Sequence, residues 1–156
     1  MLSILLALAA QTLSSSKLPP AQALPPPGGA EQAVLASVNA LLGSFSAGDS
    51  ATMLRWVFPD GRVTATGTRA SSKGLRQESW AQFATRVTPG SVFEETITDP
   101  AIEIDGDAAM VWAPFVVRVG GKVSNCGIDH FDLVRDAGAW KVMNLTFSSR
   151  LAGCPQ

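Results

Sequence analysis

Few side chains in this sequence can move a proton near neutral pH, and two of them are adjacent in Ile128-Asp129-His130-Phe131. This segment reads as the middle of a long strand. Hairpin tips at Gly120-Gly121 and near Ala137 would set Asp129 opposite Trp112, and Phe131 opposite Met110 and Met143. Alternation then collects Met110, Trp112, Pro114, Phe131, Leu133, Met143, Leu145 and Phe147 on one face, with Asp129 as its only acid. A carboxylate without a cation in such surroundings must be paired, hydrated or protonated. Two readings follow: a carboxyl bonded to a backbone amide or helix cap, or an acid in a pocket. His130 falls on the opposite face and reads as a sheet or interface residue.

The remaining chemistry is sparse. One histidine and two distant cysteines cannot assemble the three or four converging ligands of a metal site, so neither metal nor cofactor is expected. The formal net charge of −1, with no basic stripe, makes nucleic acid a poor partner. In the hairpin register Cys126 lies near Ser148, and a tail containing Gly153 can fold back to bring Cys154 against it. An even cysteine count in an exported chain favours that bridge.

Export is read from the N-terminus. Leu2 to Ala10 is apolar apart from Ser3, too short to span a bilayer and suited to the core of a signal peptide. Small-x-small sites at Ala7-Leu8-Ala9 and Ala21-Gln22-Ala23 offer cleavage points. A lipid anchor would need a cysteine just after the run, and the first is Cys126, so no membrane anchor is expected. The reading divides the chain into a signal peptide at 1–23, a Pro/Gly-rich linker at 24–29, one domain at 30–152 and a tail at 153–156. The location is periplasmic or secreted. With 156 residues, 46% of them hydrophobic, one domain with a real core is affordable and two are not.

The elements that position Asp129 come next. Val34, Leu35, Val38, Leu41, Leu42 and Phe45 recur at helical spacing, with Gly48 placed to end the helix. Asp49 or Ser50 caps a short second helix carrying Met53, Leu54, Trp56 and Val57. Pro59-Asp60-Gly61 reads as a turn before a strand at 62–68. Ser79-Trp80-Ala81-Gln82 fits a capping box for a third helix bearing Trp80, Phe83, Ala84 and Val87. Strands follow at about 92–97, 101–104, 108–118, 122–135 and 140–149, the last three as an antiparallel meander. The fold class is α+β, with three N-terminal helices on one face of a curved antiparallel sheet. Ala108 to Val117 is apolar on both faces, and a second copy of the chain is the simplest cover for the outer one.

This order, with Ile128-Asp129-His130-Phe131, the later Lys141-Val142, the Ala47-Gly48-Asp49 turn and Phe58-Pro59-Asp60, resembles the nuclear transport factor 2-like superfamily over about residues 30–152. That superfamily includes polyketide-cyclase-like and ketosteroid-isomerase-like members, and the Asp129 strand resembles the penultimate strand of the latter. The resemblance implies a cone-shaped fold around a cavity, with Asp129 matching an acid that donates a hydrogen bond to a substrate oxygen. It makes Trp56, Trp80, Phe83, Met110, Trp112 and Phe131 the walls of a mostly apolar ligand pocket around Asp129. Two isomerase groups are absent: the expected base falls at Ala65 or Thr66, and the expected tyrosine at Leu41, in a chain without tyrosine. Steroid isomerisation is therefore not expected. Binding of a small apolar molecule is the first reading, an isomerase, dehydratase or cyclase polarising its substrate with Asp129 the second, and a structural or partner-binding domain the third.

Overall fold

Val34, Val38, Leu41, Leu42 and Phe45 are all buried along one side of α1 (Gly29–Ala47), the helix that covers the sheet. The computed structural model describes residues 26–67, 74–90 and 93–156, so the expected signal peptide lies outside the described residues. Gly48 ends α1 in the left-handed conformation (φ 65°). A side chain there would also strike the Thr88 carbonyl. Asp49 caps α2 (Ser50–Arg55), its carboxylate accepting from the Thr52 amide at 2.9 Å. Ser79 and Gln82 bond reciprocally to open α3 (Trp80–Ala84).

Seven strands form one curved, unclosed sheet: β1 (Val57–Gly67), β2 (Arg76–Ser79), β3 (Phe93–Ile97), β4 (Ala101–Asp105), β5 (Ala108–Val119), β6 (Lys122–Asp136) and β7 (Ala139–Ser149). Their order is β2-β1-β7-β6-β5-β3, with β4 also on β5. The sheet is mixed, because β1 runs parallel to β7 while every other pair is antiparallel. The edge strand β2 was not foreseen. Pro59-Asp60-Gly61 is no turn but an irregularity inside β1, where the register with β7 shifts between Val57 and Arg62. Gly61 is needed there, since a Cβ would overlap the Met143 carbonyl. The Trp80 indole N–H donates to that same carbonyl at 2.9 Å.

The register of the meander departs from the hairpin expectation in one decisive way. Next to the turn, Arg118 pairs with Val123 and Val119 with Lys122, as a Gly120-Gly121 tip requires. One residue later the pairing jumps: Val117 meets Asn125, leaving Ser124 extra. Because side chains alternate, this single insertion reverses which β5 residues share a face with Asp129. Asp129 lies opposite Ala113 and Phe147, and Phe131 opposite Val111 and Leu145. Met110 and Trp112 therefore turn to the outer face, where Trp112 is 49% exposed beside His130. Their expected place in the pocket is corrected.

The two cysteines are joined. Cys126 and Cys154 form a disulfide with Cα atoms 5.5 Å apart. Backbone bonds between Cys126 and Arg150, at 2.9 and 3.1 Å, lead the tail back onto β6.

Candidate functional site

Between α1, α3 and the inner face of the sheet lies a cavity of about 290 Å³. Its walls are mainly aromatic: Phe45, Phe83, Phe93, Phe115 and Phe147, with Val117 and Leu145. Its polar groups are Glu95, Asn125, Arg76 and Arg86. Glu95, Val117 and Asn125 are cross-strand partners in one row over β3, β5 and β6. Two strand spacings of about 4.8 Å thus separate the two polar residues across Val117.

Of the residues expected to line a pocket, Phe83 does. Trp80 and Phe131 are fully buried in the core, and Trp56 packs against it. Asp129 is 1% exposed and does not itself line the cavity. It adjoins it through Glu95, whose carboxyl neighbours its own. Apart from the Glu95 carboxyl, no described residue offers either Asp129 oxygen a hydrogen-bond partner.

The pair is strongly perturbed. Burial raises the proton affinity of Asp129 well above the ordinary carboxylate range, and the charge of Glu95 and a hydrogen bond to it add to the effect. Burial likewise pushes Glu95 up to about 7, opposed in part by the hydrogen bond from Asp129. Glu95 keeps some surface exposure because it lines the cavity, and the protein packed around it is what raises its proton affinity. Two carboxyls this close cannot both ionise cheaply, so at neutral pH the pair holds at least one proton.

The mouth is framed differently. Arg86 makes a two-pronged contact with Glu78, at 2.5 and 2.6 Å, and lies 5.0 Å over the Phe83 ring. This bond holds Glu78 below its usual range and raises Arg86. Arg76 approaches the same carboxylate at 3.6 Å. The Arg76 and Arg86 side chains are 43% and 46% exposed, so the cavity opens to solvent at a cationic rim.

Sequence reasoning missed Glu95 and Asn125. Phe93, Glu95 and Ile97 alternate in a strand of five residues, and that alternation, followed through, would have placed Glu95 with the inward aromatics. Asn125 carried no such signal. Ala65, one of the two positions expected for the isomerase base, is buried, as is Leu41, expected at the position of the tyrosine. Neither can exchange a proton. Among the described residues no cluster of metal-ligating side chains occurs, and no helix is long and apolar enough to cross a membrane.

No family model and no curated protein matches the chain. Solved structures do. A nuclear transport factor 2-like protein of unknown function from Shewanella baltica is 16% identical, with 76% of this chain and 92% of that one covered at a TM-score of 0.57. A dehydratase candidate of the same family from Streptomyces avermitilis is 19% identical, covering 78% and 96% at 0.61. The association domain of C. elegans CaMKII is 18% identical, covering 76% and 95% at 0.61. At these identities the likeness is one of fold.

Proposed function

We propose that this chain, which has the nuclear transport factor 2-like fold, is an exported domain that binds a small, mostly apolar molecule in its cone. The observation that carries this reading is the cavity itself. Aromatic side chains wall it, its volume of about 290 Å³ is near the lower end for ligand pockets, and a protonatable carboxyl opens into it. Aromatic walls with few polar anchors suit an apolar body bearing one or two polar atoms. Titration with indane, a compact hydrocarbon, tests the cavity directly. The methyl resonances of Leu145 and Val117 are expected to shift saturably, with a Kd on the order of 0.1–1 mM. Unmoved resonances at saturating probe would remove the pocket reading.

A second reading is favoured by the Glu95–Asp129 pair. An isomerase, dehydratase or cyclase needs a hydrogen-bond donor and a base in reach of one substrate. Glu95, on the cavity wall with a pKa of about 7, would serve as base, and Asp129 behind it, holding its proton, would tune that exchange, while a donor to the substrate would come from the cavity's other polar groups. Proton exchange at carbon, lost in Glu95→Gln while binding persists, distinguishes an enzyme from a binding domain.

Export and dimerisation belong to the same proposal. The Cys126–Cys154 bridge fits an oxidising compartment. The outer face presents Trp112, Met110, Pro114 and Val116 along β5, an apolar stripe suited to a second copy. Sedimentation is expected to find a dimer, and Trp112→Arg a monomer. A wild-type monomer at high micromolar concentration would refute the dimer.

A further inference from the structure

Asn125 is a polar side chain whose acceptor is met and whose donor is not. It is 2% exposed. Its Oδ1 accepts from the Ser149 hydroxyl at 3.2 Å, while its Nδ2 finds no acceptor among the described residues. The residue also lines the aromatic cavity. Buried amide donors are almost always satisfied, so an unmet one facing a cavity marks a place where a ligand acceptor belongs.

Several features of the chain converge on this amide. The extra residue at Ser124 is what turns Asn125 inward, since without it Ser124 would take the position opposite Val117. Ser149, itself buried, donates its hydroxyl to the amide oxygen, which leaves Nδ2 as the unmet end. The disulfide and the Arg150 backbone bonds hold the adjacent Cys126 in place. Gly127, the next inward residue, offers no side chain, and a Cβ there would strike the Ser148 carbonyl and the Phe115 ring. Between Asn125 and Asp129 the Phe115 ring therefore packs directly over the Gly127 backbone.

We infer that Asn125 anchors the ligand by donating from Nδ2 to a carbonyl-type oxygen, and that the ligand is an uncharged apolar ketone, lactone or amide. This rests on the reading of the cavity as a binding site. A neutral acceptor is chosen because an anion at Asn125 would share the cavity with the Glu95–Asp129 carboxyls, whereas the cations, Arg76 and Arg86, stand at the rim. Apolar flesh around the oxygen is required by the aromatic walls.

The test compares 1-indanone with indane, which differ by that oxygen, on wild type and Asn125→Leu. Because the two probes and two proteins form a cycle, the cost of desolvating the carbonyl cancels. The preference for 1-indanone over indane is expected to fall roughly tenfold in Asn125→Leu, the worth of one buried hydrogen bond. An unchanged preference overturns the assignment while leaving the pocket standing. If neither probe binds wild type, the pocket reading falls and this inference with it. Should Asn125→Leu fail to fold, the side-chain amide resonance of Asn125 in wild type decides. It is expected to move downfield with 1-indanone and not with indane, and an equal response to both overturns the assignment.

Discussion

Asp129→Asn is expected to stabilise the protein, and by more as the pH rises. In the unfolded chain the carboxyl titrates near 3.8, whereas burial beside Glu95 keeps the folded carboxyl protonated well above that value. Above pH 3.8 the folded state therefore holds a proton that the unfolded state has released. Wild-type stability falls with rising pH until the folded carboxyl also ionises. Asparagine keeps the shape and never ionises, so it removes this slope. The gap between variant and wild type should open by about 1.4 kcal/mol per pH unit for as long as the folded carboxyl keeps its proton. Glu95 contributes its own slope in the wild type, ending near pH 7. Urea melts of both forms from pH 4 to 8 measure the gap. A variant less stable than wild type at neutral pH would mean that the carboxyl is held by a structural hydrogen bond instead.

The second large effect is on the disulfide. Cys126 and Cys154 are 28 residues apart, and closing such a loop removes unfolded-state entropy worth about 3–4 kcal/mol on the chain-entropy model. Cys154→Ala leaves the buried Cys126 in place and frees the tail, so it is the milder way to open the bridge. Its stability is expected to drop by about that amount in urea under oxidising conditions. A loss below about 1 kcal/mol would show that the tail adds no such constraint.

The parts of the fold legible in the sequence were those with a local signal. The periodicity of Val34 to Phe45, the Gly48 stop and the Ser79–Gln82 box each act within one or two turns of chain, and each appears where the spacing puts it. The Gly120-Gly121 turn is of the same kind, and so is the pairing beside it. What failed was accumulated register. Val123-Ser124-Asn125-Cys126-Gly127 carries small or polar residues on both faces, so no apolar alternation marks which residue is extra. From there toward the middle of β6, every predicted neighbour of Asp129 on β5 was displaced by one.

The candidate site suffered most from that slip. Trp112 and Met110 were placed in a pocket they do not face, while Asn125 enters the cavity only because the insertion exists. Glu95 was missed for another reason: it comes from β3, whose pairing with β5 spans about twenty residues and no hairpin. The acid read as solitary is one of two. Hence the carboxyl pair could be derived from tertiary structure alone.

The measurement that bears most directly on a ligand-binding cone is native mass spectrometry of the protein purified from its own host. The expected spectrum shows each chain with one added small mass, released when the protein is denatured. Bare chain mass in every charge state, under conditions that preserve the fold, would contradict the binding function.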